Sequence, residues 1–109
     1  VTARLTLRRG SLYLPAPVYD RYFAGLSAVV LLRRADGLMV LPVRFSGGGG
    51  YLVKQVNGAG DRVVAAGDFF RDQGLDDGTD RSFEAVWDSA DMALRIDGAF
   101  AGVDSVPQT

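Results

Sequence analysis

The side chains of this chain that could do chemistry are carboxylates and guanidiniums. Histidine and cysteine are both absent. That closes Ser-His-Asp and Cys-His catalysis. It also closes structural zinc, which needs Cys or His ligands, and any disulfide framework. Only carboxylates remain for a metal, and then for a hard one. The candidate acids are Asp68, Asp72, Asp76, Asp77, Asp80, Glu84 and Asp88. Two poised carboxylates suffice for glycoside chemistry, and several together can hold magnesium or calcium. Asp76-Asp77-Gly78-Thr79-Asp80 superficially suggests a calcium loop. It lacks the twelve-residue spacing and the closing glutamate of an EF-hand. Solvated turn carboxylates account for it better, so we expect no catalytic residue, no metal and no cofactor.

The cations are distributed unevenly. Residues 1–56 carry eight basic side chains against two acidic ones, a net of +6. Residues 57–109 carry four against eleven, a net of −7, and the whole chain stands at −1. Four readings fit this: attraction between the two halves within one chain, a simple solubility effect, a basic face for nucleic acid, or subunits paired positive to negative. Arginine outnumbers lysine 11 to 1, as a GC-rich bacterial genome would give.

The elements that must position these charges are short. At 109 residues and 48% hydrophobic, the chain can form one compact domain with a modest core. The apolar surplus suggests a surface covered by a partner, with another copy as the leading candidate. No apolar run approaches 18 residues, so no membrane span is expected. The first residues lack a signal-peptide segment, and a cytoplasmic protein is the default.

Thr2 to Leu7 alternates, with Leu5 and Leu7 on one side and Thr6 and Arg8 on the other. Arg9-Gly10 turns it into a second strand, Ser11 to Leu14, with Tyr13 facing away from Leu12 and Leu14. Pro15 and Pro17 end that strand. Val18, Tyr22 and Phe23 then make a helical stripe, closed by Gly25. Ser27 to Arg34 and Leu38 to Val43 form a hairpin with Asp36-Gly37 at its turn. Ser46 to Gly50 reads as a mobile linker, because four glycines bring no packing and no phosphate-loop Gly-Lys follows. Its deletion or lengthening should be tolerated.

Tyr51 to Val56 is a strand, and Asn57-Gly58 and Gly60-Asp61 are turn dipeptides. Val63 and Val64 fit a short strand. Asp68 to Gln73 makes about two helical turns ended by Gly74. Asp76 to Arg81 reads as a charged loop. Ser82 to Trp87 and Met92 to Ile96 form the last hairpin. Residues 98–109 read as a weakly packed tail, with Phe100, Val103 and Val106 as its available anchors.

Two half-repeats emerge, residues 2–44 and 51–97, joined by the linker 46–50. Each follows the plan strand, turn, short strand, short helix, Gly-Leu, strand, turn, strand. Leu12-Tyr13-Leu14-Pro15-Ala16 lies over Val63-Val64-Ala65-Ala66-Gly67, and Gly25-Leu26 over Gly74-Leu75.

The stretch from Gly60 to Leu75, with the hairpin Phe83-Glu84-Ala85-Val86-Trp87 to Met92-Ala93-Leu94-Arg95-Ile96, resembles the swapped-hairpin domain of AbrB and MazE proteins. Arg62 matches the family arginine, Val63 and Val64 its strand, Arg71 the helix arginine, and Gly74-Leu75 its Gly-Ile. Asp61 replaces the family glycine and Ala65-Ala66 its Ile-Pro. In the first copy Leu14-Pro15 keeps the Ile-Pro shape and Ser11 replaces the arginine. Two such units in one chain are similar to MraZ proteins.

This resemblance implies a mainly β fold, a small swapped-hairpin barrel of two pseudo-symmetric ββαββ halves, with one short helix each. It also implies transcriptional regulation by DNA binding, as an oligomer. The family's basic residues on the first strand and following loop would be Arg4, Arg8 and Arg9 in the first half, and Lys54 and Arg62 in the second. Arginine can read guanine and lysine can meet phosphate. Tyr13, Tyr19, Tyr22 and Trp87 could stack on bases, although Tyr19 and Tyr22 fit helix-to-barrel packing better. Asp61 beside Arg62 and the acidic second half speak against a symmetric DNA face. The alternative is a non-enzymatic interaction or assembly module, with a protein partner or a second copy in place of DNA.

Overall fold

A computed structural model describes residues 2–43, 50–75 and 80–100, with Thr2 described by its backbone only. Most of the glycine linker, Asp76 to Thr79 and the tail beyond Phe100 lie outside the described residues.

Eight strands close into one antiparallel barrel. In chain order they are β1 (Thr2–Arg8), β2 (Ser11–Leu14), β3 (Ala28–Arg34), β4 (Gly37–Val43), β5 (Tyr51–Gln55), β6 (Arg62–Ala65), β7 (Asp80–Asp88) and β8 (Ala93–Ile96). Between β2 and β3 lies α1 (Ala16–Val18), which runs into a π-helical turn (Tyr19–Phe23); between β6 and β7 lies α2 (Gly67–Asp72). The order around the barrel is β1-β2-β6-β5-β3-β4-β8-β7, returning to β1.

That order reads the same for both halves. The two short strands, β2 and β6, pair with each other, and so do the two last strands, β4 and β8. Each half's second hairpin joins the other half's first strand: β7 pairs β1, and β3 pairs β5. The halves therefore exchange hairpins about a pseudo-twofold axis between β2 and β6. The two exchange seams are unequal. β1 and β7 align over seven residue pairs, from Thr2↔Val86 to Arg8↔Asp80, whereas β3 and β5 share two.

Inward positions alternate with outward ones, as a pleated strand requires. Leu5, Leu7, Leu12, Leu14, Val29, Leu38, Val40, Val64, Leu94 and Ile96 fill the interior, each at or below 1% exposure. Burying one such side chain contributes about 1.5–3 kcal/mol. The helices cover opposite ends. At one end Tyr22 stacks on Trp87, with centroids 4.7 Å apart and rings 9° from parallel. At the other, Phe70 packs edge-on to Phe69 and beside Phe100.

Several expectations shift in detail. The turn of the β3–β4 hairpin is centred on Ala35-Asp36, because Arg34 pairs with Gly37. Gly37 matters for closeness instead: a Cβ there would sit 3.3 Å from the Ile96 carbonyl oxygen. β7 begins at Asp80, two residues earlier than expected, because β1 offers a partner strand to Arg81 and Asp80. Met92 belongs to the turn and not to β8, with φ of 53°. Tyr19, by contrast, packs inward as expected, and its hydroxyl donates to the Leu26 carbonyl at 2.8 Å. The bounds of β2 and β6 and the starts of α1 and α2 keep the expected offset between the halves, but the inward side differs. Leu12 pairs with Val64 and both face the core, while Val63 pairs with outward-facing Tyr13. Phe100, placed in the expected weak tail, is fully buried, and its N–H donates to the Asp36 carbonyl at 2.8 Å.

Candidate functional site

The basic residues proposed from the sequence fall in two places: Arg4, Arg8 and Arg9 on β1 and the turn after it, and Lys54 and Arg62 on β5 and β6. Arg4 and Arg8 lie on the outer side of β1, as their alternation with Leu5 and Leu7 dictates. Directly across the β1–β7 seam stand Glu84 and Asp80, their register partners. Arg4 Nη2 lies 3.8 Å from Glu84 Oε2, and Arg8 Nε lies 4.0 Å from Asp80 Oδ2. All four side chains are more than 60% exposed, so each pair is worth only about 0.2–1 kcal/mol. A phosphate approaching either guanidinium would also meet the carboxylate beside it, which opposes its attraction. Arg34 meets Asp91 in the same way at 3.1 Å. The charge asymmetry between the halves is thus used within the chain, first half to second.

Arg62 is also occupied. Its Nη1 donates to the Gly60 carbonyl at 3.0 Å, and its guanidinium carbon lies 4.1 Å from the centroid of the Tyr19 ring. It seals the α1 end of the barrel. Asp61, which departs from the family pattern, has a structural use. Its Oδ1 accepts the Ala16 N–H at 2.8 Å, at the start of α1, and its Oδ2 accepts from the Asn57 amide at 3.0 Å. The Asn57 amide first, and the Ala16 N–H second, hold the Asp61 carboxyl below the usual carboxylate range. The loop that links β5 and β6 therefore caps the helix of the other half.

Arg9 and Lys54 differ from the rest. Neither has a carboxylate within salt-bridge distance among the described residues. Arg9 occupies the turn after β1 with φ of 52°, followed by Gly10 at 79°. That pair of positive angles suits a tight hairpin turn. Lys54 is exposed on the outer side of β5, opposite Val63.

Between them lies one outer face, formed by β1, β2, β6 and β5. Register alignment gives its rows. Thr6, Tyr13, Val63 and Lys54 line up across four strands, and beside them run Arg8, Ser11 and Ala65, with Leu52 lining the same depression as Ala65. The centre is apolar, with Tyr13 and Val63 half-buried and Leu52 52% exposed. Two shallow depressions flank it. One, of about 590 Å³, is lined by Arg8, Arg9, Ser11, Tyr13 and Asp80. The other, of about 240 Å³, is lined by Gly50, Tyr51, Leu52, Lys54, Val63 and Ala65. The sequence showed Tyr13 pointing away from the core. It could not show Tyr13 beside Val63, because that contact depends on pairing between the halves.

The carboxylates are scattered. Asp68 accepts a hydrogen bond from the Tyr51 hydroxyl at 3.2 Å. Partial burial, then the Asp68 charge, raises the Tyr51 phenol above its ordinary value. Asp88 Oδ1 accepts the N–H groups of Ala90 and Asp91, and Asp88 Oδ2 meets Arg95 at 3.0 Å. Among the described residues no three carboxylates gather where a metal could sit. No described helix is long and apolar enough to cross a membrane.

No protein-family model, curated protein or solved structure matches the chain.

Proposed function

We propose that this barrel is a non-enzymatic protein-interaction module, resembling the swapped-hairpin domains of AbrB, MazE and MraZ proteins, and that it does not use Arg4 and Arg8 for DNA. One observation carries the reading: Glu84 and Asp80 stand opposite Arg4 and Arg8 along the β1–β7 seam. Productive contact with a phosphate backbone needs several uncompensated cations. Here Arg4 and Arg8 have acidic neighbours, and Arg62 packs on Tyr19. The outer face of β1–β2–β6–β5 has the make-up of a contact surface between proteins instead, with an aromatic and aliphatic centre and a polar rim. A second copy or another protein would be the partner.

DNA remains the second reading, favoured by Arg9 and Lys54, which have no carboxylate partner among the described residues. The test is retention of fragments of the source genome by the purified chain, over a low-to-physiological salt series, with its mass in solution measured in parallel. The interaction reading expects no selective retention. Selective, salt-sensitive retention would establish the DNA reading in its place.

A further inference from the structure

We propose that Asn57 converts to aspartate through a cyclic imide that the folded β5–β6 loop promotes, and that the conversion frees α1 from its hydrogen bond to Asp61. Asn57 is the chain's only asparagine, and glycine follows it. Both lie exposed in the loop between β5 and β6. A Cβ on Gly58 would meet nothing within 4 Å, and the φ there lies outside the left-handed range. The turn therefore makes no demand for glycine at that position. What glycine supplies is an unhindered backbone nitrogen beside the Asn57 side chain. Among the described residues the Gly58 N–H has no hydrogen-bond partner.

The loop holds the Asn57 amide as an acyl-transfer site would. Asn57 Oδ1 accepts the Ala59 N–H at 3.0 Å and the Asp61 N–H at 3.2 Å. Attack on Cγ places negative charge on that oxygen, where two backbone donors already point. Gln55 Nε2 and the Gly60 N–H donate to the Asn57 carbonyl oxygen at 2.7 and 3.3 Å. These bonds polarise the Asn57–Gly58 peptide and make the Gly58 N–H more acidic. Asn57 Nδ2 donates to Asp61 Oδ2 at 3.0 Å, so a carboxylate faces the nitrogen that must take up a proton and leave.

Water is the one co-reactant. The Gly58 nitrogen gives its proton to solvent and bonds to Asn57 Cγ. The Cγ–Nδ2 bond breaks, and ammonia leaves with a proton from solvent. Water then opens the imide at either carbonyl, giving an α- or a β-linked aspartate, and nothing is oxidised or reduced. The product alters what Asp61 meets. An N–H donor is replaced by a second carboxylate, and the two repel. The same Asp61 side chain accepts the Ala16 N–H through Oδ1 at 2.8 Å. The loop then loses its hold on α1, and the loss of ammonia makes the change one-way.

The test incubates the full chain in mildly alkaline buffer and follows its intact mass, which should rise by about one mass unit. Trypsin, cutting after Lys54 and Arg62, isolates the site in the fragment Gln55–Arg62. The folded chain should convert severalfold faster than that fragment as a free peptide, and faster than the chain unfolded in guanidinium chloride. Gly58→Ala, which adds a Cβ into open space, should keep the fold and slow conversion about tenfold or more. A folded chain no faster than the peptide, or a Gly58→Ala chain as fast as the parent, would overturn the proposed chemistry. In the ¹⁵N-labelled chain the Ala16 amide signal should shift as conversion proceeds, and its hydrogen exchange should quicken. Asn57→Asp should show the same change from the start. An Ala16 amide indifferent to conversion would overturn the release of α1. None of these outcomes depends on which partner the barrel binds.

Discussion

Removing the two carboxylates that face β1 should raise the affinity of this chain for DNA. The perturbation is Asp80→Asn with Glu84→Gln. Both acids are more than 60% exposed, and each meets its arginine near the 4 Å limit of an ion pair. The fold should lose no more than about 0.2–1 kcal/mol for each pair. The net charge moves from −1 to +1. Arg4 and Arg8 become two uncompensated cations on the same outer side of β1, about 13 Å apart along the strand. Two phosphate contacts should give a salt slope of about −1.8 on logarithmic axes, so raising salt fourfold should weaken binding about tenfold. Fluorescence anisotropy of a generic labelled duplex between 50 and 200 mM salt measures this. The parent chain should show little binding across the range. The reasoning is refuted if the parent already binds with a comparable slope, or if the double variant gains nothing while remaining folded.

Three further outcomes follow from the same contacts. Phe100→Ala should cost about 3–5 kcal/mol in urea unfolding, because the ring is fully buried and packs on Phe70 and beneath the Arg33 guanidinium. A loss under about 1 kcal/mol would mean that the residue does not anchor the end of the barrel. Asp61→Asn should lower the melting temperature at neutral pH more than at pH 3. The folded-state carboxyl of Asp61 lies below its unfolded value, so its stabilisation is present above the unfolded pKa and fades as pH falls through the folded one. An equal difference at both pH values would show that the charge at the start of α1 contributes nothing. Arg9→Asn should stabilise the barrel by about 0.5 kcal/mol, since asparagine tolerates the positive φ of that turn better than arginine. Calorimetry showing a destabilised variant would indicate that the Arg9 side chain supports the fold.

Much of the barrel is legible in local pattern. The alternation of Leu5 and Leu7 with Thr6 and Arg8 places β1's inner and outer sides correctly, and likewise Tyr13 against Leu12 and Leu14. The resemblance to swapped-hairpin proteins supplies the exchange of hairpins, which no local pattern contains. Where reading by pattern misses, a tertiary partner overrides it. Asp80 and Arg81 look like loop residues by composition, yet pairing with Arg8 and Leu7 draws them into β7. Val63 and Val64 are chemically equivalent, and only the register with β2 decides which enters the core. The packing of Tyr19 and Tyr22 against the barrel is legible as aromatic helix-to-barrel packing, whereas the π turn from Tyr19 to Phe23 is not a feature that a stripe at 3.6 residues per turn shows. Asp61 reads as a departure from the family because its role depends on an N–H 45 residues earlier in the chain. For the candidate site, the arginines and the imbalance between halves are visible in the sequence. That each arginine of β1 meets one specific acid of β7 is visible only once the seam is aligned.

The central claim is that Arg4, Arg8 and Arg62 are engaged by the chain itself, and the proposal is that they do not take up DNA. The most direct test is NMR of the arginine side-chain Nε–H groups during titration with a short DNA duplex at low salt. The account predicts that the Arg4, Arg8 and Arg62 signals stay where they are. Progressive shifts of Arg4 and Arg8 as duplex is added, reversed by salt, would contradict it.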